Sequence, residues 1–209
     1  MEKIEITLYS YNELSDKAKE RAVSENREKI GCSESSFVDD EFRSATDSLE
    51  EKFCIKIRDL ESYGYSRFLV TGWFDEYQNE SQYLPRYLEW LSNRLYKGKY
   101  YSTCMHRDDS GKYHYKHKYS KAVPGNYDCC LTGTYTDHAV DEAMRNRFEY
   151  VRKGYTIREF IDSVLDDFCK DWTRECEYCF ETERIEEFLV DNGCSFLKNG
   201  DMFVKERIV

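Results

Sequence analysis

Proline is almost missing, with two residues in 209. No Pro/Ser/Gly-rich stretch reads as a linker, so a single compact domain over residues 1–209 is expected. Nowhere do about 18 apolar residues follow one another, so no membrane-spanning helix and no membrane partner are expected. The stretch MEKIEITLYSYNEL lacks the basic-then-apolar layout of a signal peptide, which points to the cytoplasm. Chemical signatures are equally scarce. There is no P-loop, HExxH, GxSxG or glycine-rich dinucleotide turn. Adjacent carboxylates such as Asp39-Asp40 and Asp166-Asp167 diverge by about 100° on a helix and have no nucleophile beside them. No catalytic residue, no cofactor and no resident metal are therefore expected, and the chain is read as something other than an enzyme.

Aromatic residues, by contrast, are plentiful. They make up 16% of the chain, including 18 Tyr, which is enough to build a core and too much for a disordered chain. The cysteine count, nine, is odd. In a reducing compartment these are free thiols or metal ligands rather than a disulfide framework.

The clearest element lies in residues 156–192. Ile157, Phe160, Ile161, Val164, Leu165, Phe168, Cys169, Trp172 and Cys176 recur with a 3.6-residue period and predict one apolar helix face more than five turns long. Thr156 and Glu159 form a capping box at its start. A further helix carries Ile185, Phe188 and Leu189 and stops at Gly193. A hairpin then places Phe196-Leu197 against Met202-Phe203-Val204 around Asn199-Gly200, a pair suited to a type I′ turn.

Earlier in the chain, alternation over residues 4–9 predicts a half-buried strand with Ile4, Ile6 and Leu8 inward. A helix from Ser15 to about Ile30, ended by Gly31, has a thin stripe of Ala18, Ala22 and Val23, suited to a surface or a close backbone. A second helix after Ser36 turns Val38, Phe42, Ala45, Leu49 and Phe53 inward. Residues 54–60 and 67–74 predict a strand pair turning at Tyr63-Gly64, and Leu84 to Leu95 another helix with Pro85 in its first turn. A hairpin is expected at 99–121 around Asp109-Ser110-Gly111, a strand at 129–135, and a helix opened by Asp137 with Val140, Ala143, Met144, Phe148 and Val151 inward and Gly154 as its stop. The fold class is α+β: an antiparallel sheet with several amphipathic helices packed on it, closed by a C-terminal helix and β-hairpin.

The net charge of −10 is unevenly spread. Residues 93–122 carry eight Lys/Arg against two Asp, a net of +6 that leaves −16 on the rest. Residues 157–192 hold twelve acids against four bases, a net of −8. Such polarity repels nucleic acid over most of the surface and attracts basic partners. The candidate partner-binding carboxylates are Asp39, Asp40, Glu41, Asp162, Asp166, Asp167, Asp171, Glu175 and Glu177. The plainer reading is that they form solvated helix faces.

A basic–aromatic arm runs through Lys112, Tyr113, His114, Tyr115, Lys116, His117, Lys118 and Tyr119. In a strand the tyrosines and His117 share one face, able to stack bases, while Lys112, His114, Lys116 and Lys118 share the other, able to hold phosphates. Alternatively the tyrosines pack inward and the lysines guard a sheet edge. His114 and His117 fall on opposite faces, and Cys104 with His106 gives only two ligands on one, short of what zinc needs. Cys176-x-x-Cys179, with Cys169 and Cys194 nearby in sequence, is a second metal pattern, equally explained by cysteines packing as small apolar groups.

Residues 9–22 (YSYNELSDKAKERA) resemble the opening of a family of phage and prophage proteins, often described as antitoxins of a toxin–antitoxin stability system. The arm at 112–115, Leu131-Thr132-Gly133, the segment 166–172 and the hairpin around Asn199-Gly200 are similar to its middle and end. The family supplies no catalytic residues. The resemblance implies a protein acting in the cytoplasm of a bacterial host cell, of the kind that inhibits host defence, anti-CRISPR proteins included. A Cas9-like effector holds guide and target in basic channels, which an array of carboxylates on a helix can occupy in place of phosphates. The expected partner is thus a host nuclease or another basic nucleic-acid-binding protein, with guide RNA or DNA contact through the basic arm. An antitoxin-like protein-binding partner and a nucleic-acid-binding protein using residues 112–119 are the alternatives. Nothing in the sequence sets an oligomeric state.

Overall fold

A computed structural model describes residues 5–96, 130–131 and 137–204 in full and 102–107 and 113–118 as backbone. The chain is mixed α+β, as the patterning predicts. Its described strands form three separate two-stranded antiparallel sheets. Its contacts group into two units, one made of residues 1–40 and 173–209, the other of residues 41–172.

The first unit is built on β1 (Tyr9–Ser10), the opening two-thirds of α1 (Asp16–Phe53), the end of α5 (Ile157–Tyr178), α6 (Thr182–Asp191) and β6 (Ser195–Phe196). β1 pairs with β6 through Tyr9↔Phe196 and Ser10↔Ser195. Tyr11, Leu14, Ala18, Ala22, Val23 and Ile30 close on Ile185, Leu189 and Phe196 as one core. The strand expected over residues 4–9 shortens to Tyr9–Ser10, and Ile4 lies outside the described residues. Opposite residues 5–8 the neighbouring chain has already turned away at 197–201, so no ladder forms and Ile6 and Leu8 stay 53% and 40% exposed.

The stop expected at Gly31 is absent, and α1 runs unbroken for 38 residues. Gly31 serves packing instead. A Cβ there would stand 2.3 Å from the ring of Phe180. The closing hairpin turn forms, with a three-residue loop of Lys198, Asn199 and Gly200 in place of the two-residue type I′ pair. Gly200 N donates to Leu197 O, and Leu197 N to Asp201 O. Gly200 has φ +94°, and a Cβ would lie 2.2 Å from the Ala18 carbonyl oxygen. The thin alanine stripe of α1 thus accommodates a close backbone.

The second unit holds the remainder of α1, a hairpin of β2 (Ile55–Glu61) and β3 (Gly64–Val70), α2 (Leu84–Tyr96), the ribbon β4 (Ser102–Arg107) and β5 (Tyr113–Lys118), α3 (His138–Arg145), α4 (Arg147–Arg152) and most of α5. β2 and β3 pair from Ile55↔Val70 to Glu61↔Gly64, leaving Ser62-Tyr63 as the turn. The second strand ends at Val70, short of the expected Phe74, because Gly72 takes φ +72° and opens a 3-10 turn over Gly72–Tyr77. That turn drives Phe74 into the core against Tyr87 (4.9 Å, 88°) and Trp90.

The last carbonyls of α1 have no partners inside the helix. Arg94 donates to Glu51 O at 2.9 Å, the buried Tyr87 hydroxyl to Phe53 O at 2.9 Å, and Thr71 N and Oγ1 to Cys54 O at 2.8 Å. The helix expected after Asp137 breaks at Asn146 into α3 and α4. The break changes the phase, so Phe148 is 71% exposed beneath Arg147 rather than inward. Asp137 is buried and accepts from Leu131 N at 2.5 Å. Gly154 stops the helical run at φ +74°, as expected. Residues 130–131 form a bend, and the rest of the strand expected at 129–135 lies outside the described residues.

Gly31 gives a test with a sign. At an exposed helix site Gly→Ala stabilises by about 1 kcal/mol. Here the Phe180 ring has to move, so Gly31→Ala is expected to destabilise by about 1 kcal/mol in urea unfolding. In a Phe180→Ala background the same change is expected to stabilise.

Candidate functional site

α5 carries the densest group of candidate carboxylates, and its placement follows from its ends and faces. Thr156 Oγ1 accepts from Glu159 N, while the Glu159 carboxylate accepts from Thr156 N at 2.8 Å and Oγ1 at 2.9 Å. These bonds, the backbone one foremost, hold the Glu159 carboxyl below its ordinary range. Ile157, Phe160, Ile161, Val164, Leu165, Phe168, Cys169 and Trp172 are all buried. With that face fixed inward, the opposite face is fixed outward.

The acidic residues of the second unit then separate into two kinds. Asp162 and Asp171 are taken up by the fold. Asp162 accepts from the Tyr65 hydroxyl at 2.7 Å. Asp171, with a side chain only 17% exposed, lies 3.6 Å from His138 Nδ1. Asp166, Asp167 and Glu41 are exposed. Lys170 reaches Asp167 at 2.7 Å, a surface pair worth little to stability. Its ammonium pKa is raised by that hydrogen bond first and by the fields of Asp167, Asp166 and Asp171 after it, so several carboxylates share one cation.

In the first unit Asp39 is half-buried and accepts from Cys176 Sγ at 3.6 Å, whereas Asp40, Glu175 and Glu177 are exposed. The Cys176-x-x-Cys179 pattern is split. Cys179 is buried, and its thiol donates to the Glu175 carbonyl. Cys194 is half-buried, and burial raises its thiol pKa. Burial pushes the Cys169 thiol up to about 11. Among the residues whose side chains are described, no three His, Cys, Asp or Glu stand together as a metal site.

The first unit also has a groove of ≈ 330 Å³ along α1 and the start of α6, lined by Lys19, Arg27, Thr182 and Glu186 among others. Its polar groups already serve the fold. Arg27 donates to Phe180 O and Thr182 Oγ1, and Glu186 accepts from Tyr11 at 2.8 Å. Sequence reading missed these residues, since partners 153 and 175 positions apart leave no local signal. It also missed an aromatic surface where Trp73, 44% exposed, carries Arg86 over its ring at 4.8 Å and Tyr77 stacks on Tyr83 at 4.2 Å.

The basic arm is a paired ribbon. β4 and β5 run antiparallel from Ser102↔Lys118 to Arg107↔Tyr113. Positions 114, 116 and 118 share one face and 113 and 115 the other, as alternation requires. Lys112, Tyr119 and the turn at 108–111 lie outside the described residues.

Tyr65 links α5 to pH. Its hydroxyl is raised well above the usual tyrosine value, by burial first, then by the hydrogen bond and charge of Asp162, then by Asp166. The folded chain therefore holds this proton more tightly than the unfolded chain. The resulting stability is fully present below about pH 10 and is lost as pH rises through the folded value. Tyr65→Phe is expected to flatten the fall in unfolding free energy above pH 10, and to cost about 1 kcal/mol or less near neutrality for the one lost, partly exposed hydrogen bond. Denaturant unfolding from pH 8 to 11 reads both.

None of the described helices is long and apolar enough to cross a membrane. No family model, curated protein or solved structure matches the chain.

Proposed function

We propose that this protein is an inhibitor that binds a nucleic-acid-handling enzyme, of the anti-CRISPR type directed at an effector nuclease, with the outward carboxylates of α5 standing in for phosphates. One observation carries the reading. Asp162 and Asp171 are consumed by the fold, while the neighbouring Asp166 and Asp167 stay exposed on a helix whose other face is buried from Ile157 to Trp172. Their positions are set by Phe168 and Trp172 beneath them, so a basic channel meets charge that is already ordered. Carboxylates so placed steer a basic partner into contact and discriminate against acidic ones.

The test is inhibition of target cleavage by purified CRISPR nucleases, with the Asp166→Lys/Asp167→Lys variant alongside. Both residues are exposed, so folding stability is expected to change by only about 0.5 kcal/mol. Inhibition is expected to weaken by at least about tenfold, because reversal places like charges together in the complex. Inhibition that survives the double reversal at full strength overturns the role of α5.

The ribbon supports a second reading, direct nucleic-acid binding. Lys116 and Lys118 share a face, while Tyr113 and Tyr115 share the opposite one. That reading predicts salt-sensitive binding of single-stranded DNA or RNA with no protein partner present, and a shallower salt slope, by about 1 for each phosphate-contacting lysine removed. A gel shift with Lys116→Ala and Lys118→Ala separates it from the inhibitor reading.

A further inference from the structure

The β2–β3 hairpin has one face turned into the second unit and one turned out. Ile55, Phe68 and Val70 are buried, and the positions that alternate with them, Lys56, Arg58, Arg67 and Leu69, are exposed. The register sets Arg58 directly opposite Arg67. Partners in such a pair have Cβ atoms about 4.5–5.5 Å apart, and like charges so placed destabilise a sheet. The nearby acids do not relieve the pair. Glu50 accepts from Lys56 Nζ at 2.9 Å and from Ile57 N at 2.6 Å, and Asp59 accepts from Ser66 Oγ at 3.2 Å. Among the described residues no carboxylate forms an ion pair with either guanidinium. The tip of the hairpin adds an aromatic ring, because Tyr63 in the turn is 86% exposed. Guarding a sheet edge accounts for charge on these strands. It does not account for two cations set face to face, since a pair of opposite sign guards as well, nor for a bare tyrosine at the tip.

We infer that the outer face and tip of this hairpin are a contact surface for single-stranded nucleic acid, with Arg58 and Arg67 on the phosphodiester backbone and Tyr63 stacked on a base. A guanidinium presents a planar fork of donors that matches phosphate oxygens. One anionic backbone laid across the pair turns the repulsion between the two arginines into attraction to a shared partner. Gly64, next to Tyr63, lies three residues from Arg67 on β3, about 10 Å along the strand. The ring and the cations are therefore within reach of neighbouring nucleotides of one strand. Unpaired bases are free to stack on such a ring, whereas bases inside a duplex are not. The overall charge of −10 does not forbid the contact. At physiological ionic strength charges more than about 8 Å away are largely screened, so the groups on the face itself decide. This surface is distinct from the β4–β5 ribbon and does not depend on the inhibitor reading of α5.

The experiment measures fluorescence anisotropy of labelled single-stranded DNA and RNA oligonucleotides with the full chain over a range of salt, with a blunt duplex as control. Binding is expected to be tighter to the single strands than to the duplex and to weaken with salt. Arg58→Gln/Arg67→Gln is expected to weaken it by at least about tenfold, since two charge-assisted hydrogen-bonding groups are lost. The same variant is expected to make the salt slope shallower by about 1.4, at about 0.7 for each phosphate contact. Tyr63→Ala is expected to weaken binding by about 5- to 150-fold and to leave the slope as it is. Both effects are expected again in a Lys116→Ala/Lys118→Ala background, which separates this surface from the β4–β5 ribbon. The arginine variant loses a like-charge pair, so its urea midpoint is expected to be no lower than the parent's.

Photocrosslinking of the unmutated chain gives a second readout that no folding defect can confound. A strand carrying 5-iodouridine is expected to form an adduct at Tyr63, read by mass spectrometry of the digested complex. No binding of either single strand, binding unchanged by Arg58→Gln/Arg67→Gln, a duplex bound as tightly as the single strands, or adducts confined to other residues overturns the surface.

Discussion

The stack of Phe42 on Trp172 ties α1 to α5 in the second unit, and much else depends on it. The rings lie 5.4 Å apart and nearly parallel, with Phe168 edge-on to both. Each of the three is buried to 2% exposure or less. A fully buried large side chain contributes about 1.5–3 kcal/mol, and each aromatic pair about 0.5–1.5 kcal/mol more. On that scale the cluster alone rivals the net stability of a small domain. It also fixes the rotation of α5 about its axis, which decides which carboxylates meet solvent. The polarity of the surface is thus a by-product of how three rings pack.

The parts of this architecture written locally are legible in the sequence. The 3.6-residue period over 157–172 and the Thr156/Glu159 box describe α5 correctly, because face and cap are properties of a few neighbouring residues, while Cys176 at the end of the expected face is only half-buried. Gly193 and Gly154, both with positive φ, end their helices as glycine does. Gly31 does not, because a glycine says only that no Cβ is tolerated. Whether the reason is a turn or an approaching ring depends on Phe180, far along the chain. The same ambiguity hid the break at Asn146, where no glycine or proline marks the change of phase that exposes Phe148.

The candidate site was legible to the same extent. Periodicity assigns Asp162, Asp166, Asp167 and Asp171 alike to a polar surface. It cannot distinguish a carboxylate waiting for solvent from one held by Tyr65, 97 residues away, or by His138. Asp39 reads as one of an exposed pair, yet it meets Cys176 across 137 residues. In the ribbon, alternation gave the faces and the strand register gave the pairs. That register makes His106 and His114 opposite positions, a relation no spacing within either strand contains.

Gly200 seated against the Ala18 carbonyl bears on how the protein is made. The first unit has a core whose halves are linked by contacts such as Tyr11 with Glu186, 175 positions apart, and its closing turn lies beyond both. The second unit is one continuous stretch, residues 41–172. During synthesis that stretch can emerge and collapse on its own, while Tyr11, Leu14 and Ala18 wait with their apolar faces uncovered until Phe196 and Gly200 have left the ribosome. Between the addition of Trp172 and that of Gly200 the nascent chain thus has a finished middle and an unfinished beginning. In that interval a chaperone, a protease or a second copy of the chain finds the opening third of α1 uncovered, and the segment from Phe196 to Gly200 is what closes it.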